Sequence, residues 1–301
     1  MARIGFVGAS GLMGHGMAKN LLAKGHALAL TVHRNRERVA DLFAAGATEA
    51  PHAAALAEGS EIVFLCVTGS PQVEVTLLGE RGVLAGARAG LVVVDCSTSE
   101  PESTDRLRGQ CEACGVRLID APLSRTPVEA EAGRLNVMVG ASAADFAALA
   151  PVLKAFAENI FHVGAPGAGH RIKLLNNFIA QAICTATAEA FAVGRKAGVE
   201  LQALVDLISA GPVNNGLFQA MAKTLSGQMD GLKFELDNAR KDVRYYTHLA
   251  ESVAVPSIVG EAVHQSLALA SALGHGKKLV PSLVEAQEQL AGISIVGKPK
   301  A

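Results

Sequence analysis

Lys173 and Asn177 stand four apart in the run Gly167-Ala-Gly-His-Arg-Ile-Lys-Leu-Leu-Asn-Asn177. On a helix that spacing puts both side chains on one face, a turn apart. An amine and a carboxamide aimed at one point suit a reaction that moves a proton to or from an alcohol oxygen. The same two residues could equally be a surface lysine and a capping asparagine, so the pair needs support from elsewhere in the chain. A lysine ammonium ordinarily holds its proton to a pKa of about 10.4, too high for base work at neutral pH. Burial or a nearby cation would have to lower it, and His170, Arg171 and Arg125 are the candidate neighbours.

Support comes from Gly8-Ala-Ser-Gly11-Leu-Met-Gly14, between an apolar strand and a helical stretch. This is the setting in which a glycine-rich turn cradles a dinucleotide pyrophosphate. Gly8 would allow the tight turn, Gly11 the close approach of the phosphates, and Gly14 the packing of helix on strand. Ser10, Leu12 and Met13 complete the turn and bring helix N–H groups to the anion. The spacing is G-x-x-G-x-x-G instead of the commoner G-x-G-x-x-G. The end of the second strand selects the cofactor. An acidic residue there would hold the 2′-hydroxyl of NAD, but the chain reads His33-Arg34-Asn35-Arg36, with no carboxylate until Glu37. Cationic forks suit a 2′-phosphate, so NADP is expected, with NAD possible. Three further strand ends carry small polar residues: Val67-Thr68, Ser97-Thr98 and Ser124-Arg125-Thr126. In open α/β sheets ligands bind beyond the carboxyl ends of strands, which is where these residues fall.

The elements that must hold these groups alternate through the first half of the chain. Residues 3–8, 27–33, 62–67, 91–96, 116–120 and 134–139 read as strands, and 12–24 and 36–45 as helices, with 46–48 turning back. Such alternation means βαβ units and a parallel sheet covered on both faces. After Gly164-Ala-Pro-Gly167 helical periodicity takes over to about Leu290, broken at Gly198, Gly211-Pro212, Gly227, Pro256 and Gly274. The boundary is placed near residue 165, giving domains 1–165 and 166–301. Half of the 301 residues are apolar and the formal net charge is −1, enough for two cores and no electrostatic footprint for nucleic acid. No secretory signal or run of about 18 apolar residues is visible, so a cytoplasmic protein without membrane contact is expected. Leu174 to Ala188 reads as a buried helix. Of the five cysteines, Cys111-Glu-Ala-Cys114 forms a lone C-x-x-C without further ligands nearby, so no metal is expected. Two small apolar thiols account for it better than a redox pair.

Taken together, the motifs resemble the 3-hydroxy acid dehydrogenase family, which includes 3-hydroxyisobutyrate dehydrogenases and tartronate semialdehyde reductases. The resemblance covers nearly the whole chain. It rests on Ile4-Gly-Phe-Val-Gly8…Gly11-Leu-Met-Gly14, Asp95-Cys-Ser-Thr98, Asp120-Ala-Pro-Leu-Ser124, Gly167…Lys173…Asn176-Asn177 and Lys241-Asp242. It implies an α/β fold, with an N-terminal Rossmann-type doubly wound sheet followed by an all-α C-terminal domain. A long helix would join the two, with the active site in the cleft between them. The resemblance makes Lys173 the catalytic lysine and Asn177 the asparagine beside it. Ser124 becomes the substrate serine, Thr98 the threonine near the nicotinamide, and Lys241 a lysine over the cofactor. Asn176, Arg125 and Thr126 join the substrate residues.

Three departures from the family stand out, the first being one extra residue in the cofactor loop, which alters its phosphate geometry. Arg125 and Thr126 replace a usual pair of glycines, as in sulfolactaldehyde reductases, so Arg125 could grip a carboxylate or a sulfonate. His248 stands where an acidic residue is usual. The expected activity is hydride transfer between NADP(H) and a small 3-hydroxy acid or semialdehyde acid, by a homodimer or homotetramer. An imine reductase, which would usually lack the lysine, and a non-catalytic dinucleotide-binding protein are the alternatives.

Overall fold

The computed structural model describes residues 1–33 and 35–298, so the assignment of Arg34 to a 2′-phosphate lies outside the described residues. The chain divides into two compact units, Met1–Lys173 and Leu174–Ala301.

The first unit begins with β1 (Arg3–Val7), α1 (Leu12–Ala23), β2 (Ala27–Thr31), α2 (Ala40–Ala44) and β3 (Thr48–Glu49). It continues with α3 (Ala53–Glu58), β4 (Ile62–Leu65), α4 (Ser70–Leu78), α5 (Val83–Gly86), β5 (Val92–Asp95), α6 (Pro101–Ala113) and β6 (Arg117–Asp120). β7 (Leu123–Ser124), α7 (Pro127–Glu131), β8 (Leu135–Gly140), α8 (Ala143–Leu153) and β9 (Ala157–Gly164) complete it, before the start of α9 (Ala168–Lys196). The strand order is β3-β2-β1-β4-β5-β6-β8-β7, with β9 also on β8. Parallel pairing in the order 3-2-1-4-5-6 is the doubly wound arrangement.

The continuous apolar strands follow from burial on both faces. Phe64 and Val94 face one core with Phe6, Met17, Leu21 and Phe156. Their neighbours Val63, Leu65 and Val93 face the other with Leu56, Leu77 and Leu107. Phe64 joins Phe6 and Phe156 through ring contacts at 6.1 and 5.7 Å.

The structure corrects the sequence reading of the first unit at four points. The sheet is mixed, because β8 runs antiparallel to β6 and β7. Thr48, read as part of a turn, begins the two-residue strand β3. Residues 36–45 open with a 3₁₀ turn at Arg36–Val39 before α2. β9 was not foreseen, because its side chains are mostly exposed or half-buried and lack an apolar run.

The second unit is helical: the rest of α9, then α10 (Leu201–Ser209), α11 (Gly216–Ala222), α12 (Leu236–Ser252), α13 (Ile258–Ala270) and α14 (Leu283–Ala291). The glycines and prolines anticipated as breaks fall between or at the ends of these helices. Its core gathers Cys184, Phe191, Met221, Leu236, Val243, Leu267 and Val284. Leu174 to Ala188 is amphipathic and not buried all round: Leu174 and Cys184 are inside, while Leu175 and Ile179 are 45% and 57% exposed. Among the described residues no helix is long and apolar enough to cross a membrane.

Candidate active site

The turn from Gly8 to Gly14 is shaped by three glycines with different constraints. Gly8 has φ +98°, and a Cβ there would lie 2.1 Å from the Cys66 carbonyl oxygen. A Cβ on Gly14 would lie 2.3 Å from the carbonyl oxygen of Gly8. Both positions are closed to any side chain by backbone. Gly11 differs: a Cβ there would meet only the Gly8 oxygen, at 3.1 Å. Gly11 is also the N-cap of α1, which has neither a side-chain cap nor an acidic residue in its first turn. Among the described residues, no side chain supplies an anion to the N-terminal N–H groups of α1, and the open glycine stands beside them. This is a cradle that fits a pyrophosphate. Ser10 and Met13 are half-buried within it and Leu12 is exposed.

Beyond β2, His33, Asn35 and Arg36 are all exposed. Arg36 pairs with Glu49, and its guanidinium lies 5.0 Å from the centroid of the Phe43 ring. The next strand ends are tied to one another. The Val67 N–H donates to Ser97 Oγ at 3.0 Å. Asp95, buried at the end of β5, accepts from the Ser97 N–H and the Ser99 hydroxyl, both at 2.9 Å. Thr68 is exposed and Thr98 half-buried beyond the same strands. Burial, aided by the Asp95 charge, pushes the Cys66 thiol up to about 12. Burial also pushes Cys111 up to about 12, while Cys114 is exposed, so this C-x-x-C has no ready thiolate on its buried member.

The two glycines that open the Lys173 run have a physical cause in β6. Asp120, fully buried, accepts hydrogen bonds from the Gly167 N–H at 2.6 Å and the His170 N–H at 3.0 Å. It caps α9 from 47 residues away. A Cβ on Gly169 would lie 2.6 Å from the Met138 carbonyl oxygen and 2.8 Å from that of Asp120. The helix start is thus pressed against the ends of β6 and β8. Lys173 follows in its second turn, half-buried.

The three residues anticipated beside Lys173 each have polar partners of their own. Arg171 pairs with Asp105 at 2.5 Å. His170 is fully buried against Thr104. Arg125 is held by Glu158 and by the Arg134 carbonyl oxygen, the latter at 2.5 Å. Its guanidinium holds the Glu158 carboxyl below its usual range, and its backbone takes the left-handed φ of +82°. Thr126 is the N-cap of α7 and forms a capping box with Glu129. Of the three loop residues, Ser124 has the uncommitted side chain: it is half-buried, pairs through its backbone with Asn136, and donates to no described residue.

In the helical unit, Asn177 is buried and its Nδ2 donates to Asp242 Oδ2 at 2.6 Å. Lys241 Nζ lies 2.7 Å from the other carboxylate oxygen and 4.8 Å from the centroid of the Tyr245 ring. Asp242 therefore links two residues that the sequence reading had named separately. The Asn176 amide donates to Asn177 Oδ1 at 3.1 Å. Asp120, Asp95 and Asp242 were quoted in the sequence as parts of motifs but given no role. The signal for each was an acid at a strand end or beside a lysine. A separate cleft of about 490 Å³, lined by Arg3, Glu61, Arg88 and Arg117, lies at the amino ends of the strands, the edge where open α/β sheets do not bind ligands. Among the described residues no group of three or more His, Cys, Asp or Glu could hold a metal ion.

Residues 3–164 match the family described as the NAD binding domain of 6-phosphogluconate dehydrogenase. Residues 167–286 match the NAD-binding domain of NADP-dependent 3-hydroxyisobutyrate dehydrogenase. The chain is 32% identical to 2-(hydroxymethyl)glutarate dehydrogenase of Eubacterium barkeri, over 98% of both chains. It is also 32% identical, with the same coverage, to 3-sulfolactaldehyde reductase of Escherichia coli strain K12. The crystal structure of 3-hydroxyisobutyrate dehydrogenase from Salmonella typhimurium superposes with a TM-score of 0.81 at 27% identity, covering 95% of this chain and 99% of that one. With dinucleotide-binding domains along its length and relatives of this kind, the chain belongs to the NAD(P)-dependent 3-hydroxy acid dehydrogenases, oxidoreductases acting on CH–OH donors.

Proposed function

We propose that the protein reduces a small semialdehyde acid with NADPH, and reversibly oxidises the corresponding 3-hydroxy acid, with Lys173 as the general acid/base. One observation carries this reading: Asp120 anchors the helix bearing Lys173 at the sheet edge that also carries the Gly8–Gly14 turn. The turn would hold the pyrophosphate, and His33, Asn35 and Arg36 would receive a 2′-phosphate in place of the carboxylate that favours NAD. Val67, Thr68, Ser97 and Thr98 would line the rest of the dinucleotide, and Lys241 would be a further cofactor-binding residue. The bound nicotinamide would supply or accept the hydride. Lys173 would give a proton to the alkoxide oxygen in reduction and take it back in oxidation. Asn177, its amide turned by Asp242, would hold that oxygen and the lysine in register. Ser124 would bind the acid head group, with Asn176 beside it. A substrate of the 3-hydroxyisobutyrate or tartronate semialdehyde kind fits these groups.

A second reading, a sulfonate substrate gripped by Arg125 and Thr126, is favoured by the Arg-Thr pair and by the similarity to a sulfolactaldehyde reductase. It requires Arg125 to leave Glu158. The exposed apolar side chains Leu175, Ile179 and Val193 of α9 and Ile258 of α13 suit a homodimer or homotetramer, which light scattering would reveal. A cytosolic setting would keep the free thiols reduced.

The test is NADPH oxidation followed at 340 nm with tartronate semialdehyde, methylmalonate semialdehyde, succinic semialdehyde and sulfolactaldehyde, with NADH as control. Lys173→Ala should bind NADPH normally and abolish turnover. Full activity in that variant would end the proposal. Preference for sulfolactaldehyde, lost in Arg125→Gly, would select the second reading.

A further inference from the structure

We infer that Asp120 and His170 are positioning residues for Lys173, acting through the first turn of α9. The inference rests on Lys173 being the acid/base group. A helix usually caps its N-terminus locally, with a Ser, Thr, Asp or Asn beside its first turn. Here the cap is a carboxylate from the end of β6, received by the N–H groups of Gly167 and His170 at 2.6 and 3.0 Å. A local cap secures helicity, whereas a cap from a strand also fixes where the helix begins. Burying a carboxylate is costly unless hydrogen bonds and positive charge compensate it. Two N–H groups at the positive end of a 29-residue helix supply both, with Arg108 at 4.0 Å from the carboxylate. The anchor is closely approached by two glycines: a Cβ on Gly140 would lie 2.6 Å from Asp120 Oδ2, and one on Gly169 2.8 Å from it.

His170 supplies a second, independent anchor three residues before Lys173. It is fully buried, and its Nδ1 lies 2.8 Å from Thr104 Oγ1 on α6. The Thr104 hydroxyl donates to the Glu100 carbonyl oxygen at 3.1 Å. The Thr104 hydroxyl thus stands between that carbonyl and the imidazole, and joins His170 to the first turn of α6. The other ring nitrogen lies 3.7 Å from Asp95 Oδ2, and Asp95 holds the Ser97–Ser99 turn. The backbone of the first turn is thus tied to β6 and its side chain to α6. Lys173 and His170 are neighbours on one helix face, so what tilts the imidazole tilts the lysine.

The test uses the full chain with NADPH and the best aldehyde acid of the panel above. Asp120→Asn and His170→Ala should each lower kcat by roughly 10- to 100-fold, the order expected for a misplaced reacting group. The KM and Kd for NADPH should stay within about threefold, since the Gly8–Gly14 turn is untouched. His170→Asn, whose amide stands in for Nδ1 toward Thr104, should recover most of the rate. Should Asp120→Asn fail to fold, the His170 series decides alone. Unchanged kcat in folded His170→Ala overturns the inference, as does a loss that appears in KM alone. Turnover surviving in Lys173→Ala would overturn the acid/base reading itself, a distinct result.

Discussion

Replacing Gly169 by alanine should damage turnover far more than it damages cofactor binding. The added methyl would stand 2.6 Å from the Met138 carbonyl oxygen and 2.8 Å from both the carbonyl and one carboxylate oxygen of Asp120, where ordinary contact begins at 3.4 Å. Two of the three opposing atoms are main chain in β8 and β6, which cannot swing aside. The start of α9 must therefore retreat by about 0.8 Å, and a displacement of that order is worth up to about 100-fold in rate. Overpacking of this kind costs roughly 1–3 kcal/mol, a fall of a few degrees in Tm for a chain of this size. The expected outcome is a soluble, folded variant whose kcat is down about 30- to 100-fold and whose NADPH affinity is within threefold of the parent. Steady-state kinetics at 340 nm, NADPH fluorescence titration and a thermal melt read the three quantities. Gly109→Ala is the control: Gly109 lies in α6 with nothing within 4 Å of an added Cβ, so alanine there should be neutral or slightly stabilising. A Gly169→Ala enzyme with parental kcat would refute the claim that the position of α9 on the strand ends sets the reaction geometry.

Gly11→Ala should behave in the opposite way. Its methyl meets only the Gly8 oxygen at 3.1 Å, so folding should be little changed, while NADPH binding weakens by about tenfold or more as the methyl fills the pyrophosphate cradle. An unaltered Kd by fluorescence titration would remove Gly11 from the cofactor site. His15 predicts a pH dependence of stability. Its Nδ1 lies 2.5 Å from Glu131 of α7, and its Nε2 3.1 Å from both carboxylate oxygens of Asp41 in α2. Burial pulls the imidazole pKa down, but hydrogen bonds to Glu131 and Asp41 outweigh it and leave the pKa raised above 6.5. The folded state thus binds the proton more tightly than the unfolded chain. The contribution of His15 is complete below the unfolded value and fades as pH rises through the raised folded one. The two carboxylates are themselves depressed, so their share fades only in acid. The stability difference between parent and His15→Gln, from urea melts, should be larger at pH 6 than at pH 8.5, and a difference independent of pH would dissolve the linkage.

What the sequence made legible was local. The Gly8–Gly14 turn declared itself because strand, glycines and helix are contiguous, and the helix–strand alternation survived because each buried strand is a continuous apolar run. The second unit's helix breaks were written in Gly and Pro. What stayed hidden depends on partners distant in the chain. β9 is held by its pairing with β8, and its own residues show too little apolar pattern to announce a strand. The direction of β8 is likewise a property of the pairing. Arg125 looked available to an anion because Glu158 is 33 positions away and only the fold brings the two together. Asp120 and Asp242 could be seen as motif letters, but the amides they receive lie 47 and 65 residues further along or back.

The same distances explain why the arrangement can be stiff where chemistry needs it. Gly8 touches the Cys66 carbonyl, Val67 donates to Ser97, Asp95 holds Ser97 and faces His170, and Asp120 receives the first turn of α9. Each link joins the end of one strand to the end of the next or to the helix, and none depends on a loop alone. Strands in register within a covered sheet move little relative to one another, whereas loops move freely. On the proposed function, the phosphate turn and Lys173 are thereby referred to one rigid edge, and the spacing between a bound dinucleotide and the proton donor would be a property of the sheet. The Ser124–Thr126 loop stands apart from that edge. Its Arg125 is held in a strained backbone conformation by an exposed carboxylate, a contact that an anionic substrate could replace without disturbing the rest. On this division of labour, substitutions at the strand ends should change kcat for every substrate alike, while substitutions at Arg125 or Glu158 should change which acid is preferred. A Glu158→Gln variant whose kcat falls equally for all four aldehyde acids, with their ranking unchanged, would show that the loop belongs to the rigid edge after all.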